Sequence, residues 1–246
     1  MQIQFKIFRT KIFVVALLSL VTCQAFAQQQ APSVEHAKAP SLEFYQGKPF
    51  YDAIRAFQKA DSLQMPASKS ILLIGSSSFT YWRDVANYFP GYRIINRGFG
   101  GSSLPDLIRY QDYIIYPYNP KQILIYCGEN DFAAADTVSI STVVNRFKQL
   151  FWDIRVRLPR VPISYISMKP SPSRAALLPK FKEANQQIRT FLATQKATSY
   201  IDVYDAMLKP DGRPIADIFT KDSLHMNPQG YVIWQKQIRP HLRKTK

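Results

Sequence analysis

A chain of 246 residues is long enough for one substantial domain plus an extension, and a single core is the default at this size. Hydrophobic residues make up 46% of it and charged residues 20%, which excludes a disordered or fibrous protein. The formal net charge of +15 raises nucleic acid, anionic membranes and acidic glycans as partners, but Lys and Arg are scattered and cluster only at Arg239, Arg243, Lys244 and Lys246. A basic solvated surface accounts for that distribution, and no nucleic-acid partner is expected.

At the N-terminus, Lys6, Arg9 and Lys11 lead into an apolar run from Ile12 to Val21, followed by Ala25-Phe26-Ala27. Positive flank, short apolar core and small-x-small end are the parts of a secretory signal, so residues 1–27 read as a signal peptide and the protein as exported, periplasmic or extracellular. The run is shorter than the ~20 apolar residues of a bilayer span, and no later stretch reads as a membrane helix. Cys23 invites a lipoprotein reading, which Thr22 before it fits poorly. Cleavage after Ala27 leaves Cys127 as the only thiol and no intrachain disulfide. Residues 28–40, Gln-rich and then Ala31-Pro32 and Ala39-Pro40, read as a flexible leader to a domain over residues 41–246.

The domain opens with Phe44, Phe50, Ile54 and Phe57, which predict a helix running towards Met65 and stopped by Pro66. Short apolar runs and helical patterns then alternate. Strands are predicted at Ile71–Ile74, Tyr92–Ile95, Gln122–Tyr126, Ile163–Ser167 and Tyr200–Val203. An aromatic-rich amphipathic stretch to Tyr88 follows the first strand. Helices are predicted from Leu104 to about Tyr116, from about Val138 to Leu158, across Leu177 to Ala193, and from Pro228 to about Leu242. Five near-continuous apolar strands separated by helices define an α/β protein with a parallel sheet covered on both faces. Cys127, at the end of the third run, reads as a buried strand cysteine.

In such sheets ligands bind beyond the carboxyl ends of the strands. Gly75-Ser76-Ser77-Ser78 follows the first strand and Asn96-Arg97-Gly98-Phe99-Gly100-Gly101-Ser102 the second. Gly128-Glu129-Asn130-Asp131 follows the third, and Asp222-Ser223-Leu224-His225 comes after the fifth, just ahead of Asn227-Pro228. These loops offer a hydroxyl nucleophile, glycine N–H groups, an amide donor and an acid/base pair. His36 and His241 lie in the leader and the basic tail, so His225 is the histidine placed to act. One turn between Asp222 and His225 would hold the carboxylate against one imidazole nitrogen and leave the other free to take a serine proton.

The four loops, in this order across roughly residues 70 to 240, resemble the GDSL or SGNH hydrolase family. The resemblance implies a three-layer α/β/α sandwich, flavodoxin-like, with a five-stranded parallel sheet. It also implies a carboxylic ester hydrolase with nucleophile Ser77, base His225 and orienting Asp222. The oxyanion would be held by the N–H of Ser77, the N–H of Gly101 (or Gly100) and the side chain of Asn130. Ser76 stands where that family usually has Asp, and Ser78 where it usually has an aliphatic residue. No metal or organic cofactor is implied, and the substrate would be a small-molecule, glycan or lipid ester. No feature of the chain specifies an oligomer.

Other readings compete. The glycine-rich segment lacks the spacing of a dinucleotide or Walker loop, and Phe79 replaces the second glycine of a Gly-x-Ser-x-Gly elbow. A non-catalytic carbohydrate-binding relative of the same fold is the main alternative, although it would be expected to lack Ser, Asn or His from the set. Tyr81, Trp82, Phe99 and Phe132 could line an acyl pocket or simply pack helices on the sheet. Arg97 is expected in a salt bridge or at the surface, and Lys169-Pro170-Ser171-Pro172 at the border of the cleft.

Overall fold

Five apolar runs pair as β1 (Ile71–Gly75), β2 (Ile94–Gly98), β3 (Gln122–Tyr126), β4 (Ile163–Ile166) and β5 (Thr198–Ile201) in the computed structural model, which describes residues 39–244. The expected signal peptide, nearly all of the expected leader, Cys23 and His36 lie outside those residues. Every pairing is parallel and the order is β2-β1-β3-β4-β5, the flavodoxin-like arrangement.

Alternation along the strands divides the core in two. Leu72 and Ile74 of β1 and Ile123 and Ile125 of β3 face α1 (Tyr51–Leu63), α4 (Leu104–Ile114), α6 (Ile140–Arg157) and α7 (Leu178–Ala193). Ile71 and Leu73, with Leu124 and Tyr126, face the other way. There they meet Phe79 of α2 (Ser77–Thr80), Val85 of α3 (Val85–Tyr88), and Tyr231 and Trp234 of α8 (Pro228–Ile238). Two-sided burial is why these strands read as unbroken apolar runs. Among the described residues no helix is long and apolar enough to cross a membrane.

Several boundaries differ from the expectation for local reasons. The predicted first helix divides into a 3₁₀ turn, Leu42–Tyr45, and α1, because Pro49 disfavours helical backbone in the residue before it. The second strand runs on through Asn96-Arg97-Gly98, which sequence reading assigned to the loop. These polar residues are tolerated because β2 is an edge strand and their groups are satisfied. Asn96 donates to the Phe79 carbonyl at 2.7 Å, and Arg97 pairs with Asp61 and donates to the Tyr118 hydroxyl at 2.6 Å. That ion pair is the expected fate of Arg97. The fifth strand, on the other edge, sits two residues earlier than predicted. A short helix, α5 (Glu129–Ala134), begins inside the Gly-x-Asn-Asp block and was not foreseen.

Cys127 is buried as expected, its thiol 3.7 Å from the Ser102 carbonyl, and burial pushes its pKa well up. Since the thiolate is the reactive form, native protein is expected to leave Ellman's reagent unreacted, whereas unfolding in guanidinium exposes this thiol. A rapid native-state reaction at Cys127, mapped by mass spectrometry, would contradict that expectation.

Candidate active site

The sheet order turns back on itself at β1, whose neighbours are β2 on one side and β3 on the other. The chains leaving β1 and β3 diverge there, which opens a crevice at the carboxyl edge. Ser77 follows β1 and Asn130 follows β3.

Gly75 ends β1 with φ 149°, and a Cβ there would lie 2.0 Å from the Tyr126 carbonyl oxygen, so only glycine can occupy the position. The Ser76 N–H then donates to that carbonyl at 3.1 Å, and the chain coils directly into α2. Ser77 is the first residue of α2, so its N–H is among the first-turn amides that a helix leaves unpaired. Ser76 and Ser78 are buried, whereas Ser77 is partly exposed, so only Ser77 of the three combines accessibility with a helix start. An ideal Cβ on Gly100 would be 3.9 Å from the Ser77 Cβ, whereas one on Gly101 would face the Phe50 ring at 3.7 Å. Gly100 therefore lies beside Ser77, and Gly101 follows it on the side of Phe50.

Asn130 projects from the first turn of α5 towards the same place. Its Nδ2 donates to Ser76 Oγ at 2.7 Å and to the Ser102 carbonyl at 3.0 Å. Asp131 turns the other way: its carboxylate accepts from the Leu104 N–H and from Arg146, each at 2.9 Å, tying α5 to the start of α4 and to α6. Burial raises the Asp131 pKa, and these donors oppose the shift.

The Asp222–His225 segment forms the single turn that its spacing predicts. His225 Nδ1 lies 2.6 Å from Asp222 Oδ2. The other oxygen, Oδ1, accepts from the His225 N–H and the Leu224 N–H at 2.9 Å and from the Thr220 hydroxyl at 2.8 Å. Burial alone would raise the Asp222 pKa, but these donors outweigh it and hold the carboxyl well below the usual carboxylate range. An ionised Asp222 accepts from Nδ1–H, which in the neutral imidazole assigns the lone pair to His225 Nε2. Asn227 caps α8, its side chain accepting from the Gln229 and Gly230 N–H groups, with Pro228 at the first helical position.

Two contacts tie the His225 turn and α8 to the α2 segment that begins at Ser77. The Tyr81 ring packs edge-on against the imidazole at 4.6 Å, and the Tyr81 N–H donates to the Ser77 carbonyl at 2.8 Å. Tyr231 of α8 donates to the Ser78 carbonyl at 2.9 Å. Ser77 and His225 share no hydrogen bond in this structure, and such contacts are commonly loose before substrate binds. Of the four aromatics weighed for an acyl pocket, Trp82, Phe99 and Phe132 are buried in the core, whereas Tyr81 is 54% exposed beside His225.

Sequence reading missed two partners. Lys169, expected only to border the cleft, is buried, and its ammonium pairs with Glu129 at 3.1 Å. Arg174, from a 3₁₀ segment Pro172–Leu177 after β4, donates to the Glu129 carbonyl and to Asn130 Oδ1, both at 2.7 Å. The run Lys169-Pro170-Ser171-Pro172 behind the fourth strand was the only hint of this loop.

A flavodoxin-like α/β/α fold with Ser, Asn, Asp and His at the carboxyl edge of its sheet is the architecture of one class of acyl hydrolase. The chain belongs to the GDSL-like Lipase/Acylhydrolase family, whose profile matches residues 75–233. No curated protein matches it. Among solved structures, a Streptococcus pneumonia protein described provisionally as a platelet activating factor shares the fold. Its TM-score is 0.70 at 20% identity, over 82% of this chain and 96% of that one. A GDSL-like lipase from Bacteroides thetaiotaomicron has a TM-score of 0.65 at 18% identity, covering 76% of this chain and 96% of its own. A carbohydrate esterase family 3 protein from Talaromyces cellulolyticus has a TM-score of 0.53 at 15% identity, covering 70% and 95%.

Proposed function

We propose that the protein is an exported serine esterase acting on carboxylic esters through an acyl-serine intermediate. The observation that carries this reading is the 2.6 Å Asp222–His225 pair, packed through Tyr81 against the turn that begins at Ser77. His225 Nε2 takes the Ser77 proton as Oγ bonds to the carbonyl carbon. The tetrahedral oxyanion is met by the N–H groups of Ser77 and Gly101 and by Asn130 Nδ2, whose N–H to Ser76 Oγ turns to the oxyanion while the one to the Ser102 carbonyl stays. Collapse breaks the bond to the leaving oxygen, which receives the proton from His225. Water, deprotonated by His225, then attacks the acyl carbon and releases the acid and free Ser77.

Ester-bearing glycans and phospholipids outside the cytoplasm are the substrates in keeping with a signal-like segment and a basic chain. The fold shared with a carbohydrate esterase fits the glycan option. A fluorophosphonate is expected to label Ser77 of the mature protein, and p-nitrophenyl acetate to be hydrolysed. Asn130→Ala should lower kcat by about a hundredfold to a thousandfold, the usual cost of one oxyanion donor. An inert protein that no fluorophosphonate labels would sink the esterase reading, whereas a label on Ser76 or Ser78 would sink only the choice of nucleophile.

A further inference from the structure

The Asn130 side chain makes three polar contacts, and they admit only one orientation of its amide. A guanidinium offers donors alone, so the group facing Arg174 must be the oxygen. The Ser102 carbonyl offers an acceptor alone, so the group facing it must be the NH₂. Turning the amide over would set NH₂ against the Arg174 guanidinium at 2.7 Å and oxygen against the Ser102 carbonyl at 3.0 Å. Arg174 also donates to the Glu129 carbonyl at 2.7 Å, so its planar fork grips the main chain and the amide of consecutive residues. One residue earlier, the Ser173 N–H donates to the Ser223 carbonyl at 3.1 Å, inside the Asp222–His225 turn. The loop after β4 is therefore bonded to both halves of the site.

We infer that Arg174 is a positioning residue for the oxyanion site: by holding Oδ1 it keeps Asn130 Nδ2 turned towards Ser76 Oγ and the Ser102 carbonyl, in the turn next to Ser77. This rests on the esterase reading for its kinetic consequence but not for its geometry. A charged donor on the amide oxygen also polarises the amide, which makes its N–H groups stronger donors. Charge on the oxyanion develops only as Ser77 adds to the carbonyl, so the benefit belongs to the transition state and not to substrate binding.

The test is a cycle of Arg174→Gln, Asn130→Ala and the double variant with p-nitrophenyl acetate, with Arg174→Lys as a milder companion should Arg174→Gln fold poorly. Arg174→Gln is expected to lower kcat about tenfold to a hundredfold, within the cost of losing one oxyanion donor, with KM changed far less. Arg174→Lys, a point donor without the fork, should fall between it and the wild type. Because Arg174 acts through Asn130, the double variant should be no slower than Asn130→Ala alone. Equal kcat in wild type and Arg174→Gln, or losses that multiply in the double variant, would overturn the inference.

A readout independent of turnover separates this inference from the esterase reading. The Asn130 side-chain NH₂, assigned by its loss in Asn130→Ala, is expected to give a fixed pair of amide proton signals in wild type. Those signals should broaden or shift in Arg174→Gln while backbone amides elsewhere keep their positions. Unchanged Asn130 signals would overturn the positioning role even in a protein with no esterase activity.

Discussion

His225→Ala is expected to lower kcat for an activated ester by roughly four to six orders of magnitude while leaving KM within the same range, since removing one member of a catalytic set costs about as much as removing all. The structure provides no substitute base: the other described histidine, His241, lies in the C-terminal 3₁₀ turn, and burial lowers its pKa. The Asp222 carboxylate is committed to the imidazole and to three other donors. Asp222→Asn should come close behind, at about ten-thousandfold, because an amide at this position can present NH₂ to Nδ1 and so favour the tautomer with the proton on Nε2. That tautomer has no lone pair for the Ser77 proton. Steady-state kinetics on both variants, with circular dichroism to confirm folding, measure the effect. Near wild-type turnover in His225→Ala would remove His225 from the mechanism.

The largest expected loss of stability follows from Glu129→Ala. Lys169 is 2% exposed, and the groups around its ammonium are the two Glu129 oxygens and, at 6.0 Å, the Tyr126 ring. Glu129 also accepts from the Tyr126 hydroxyl and from the Lys169 N–H, so its removal orphans several donors at once. Breaking a buried pair from one side costs about 3–5 kcal/mol, because a charge remains with nothing to compensate it. For a domain of this size that is a fall in Tm of ~6–20 °C. Desolvation already lowers the Lys169 pKa, and without Glu129 only the smaller pull of the Asp222 charge opposes it. The stranded lysine then sheds its proton more readily in the fold than in the unfolded chain, so the deficit should shrink as pH rises towards ~10. Pairing Glu129→Ala with Lys169→Met should restore much of the stability. Thermal melts of the single and double variants across pH would show this; equal melting of wild type and Glu129→Ala would refute it.

Local patterns carried the fold a long way. The apolar runs at Ile71, Gln122 and Ile163 became central strands because two-sided burial leaves its mark on every residue. The Asp222–His225 turn and the cap at Asn227 were legible for a similar reason: their chemistry closes within a few residues. Ser77, Gly101 and Asn130 came from order and register along the chain, and their convergence needed the strand order to be seen. What sequence could not show was pairing across distance. No local signal joins Lys169 to Glu129, or Arg174 to Asn130, since each pair meets only when β3 and β4 lie side by side. The polar end of β2 was misassigned because Asn96 and Arg97 find their partners on α2 and α1, which no window around them contains.

The bond from Tyr231 to the Ser78 carbonyl spans 153 positions of sequence. It fixes the order in which the molecule can come into being as a working object. Strands β1 and β3 can pair, and Ser76 and Asn130 can meet, long before the ribosome has reached Asp222. Until α8 emerges, Trp82 and Phe79 lack the cover of Tyr231 and Trp234. On the esterase reading a nascent chain stays inactive until the Asp222–His225 turn and α8 arrive, and a chain cut short before Asp222 carries Ser77 without its proposed base.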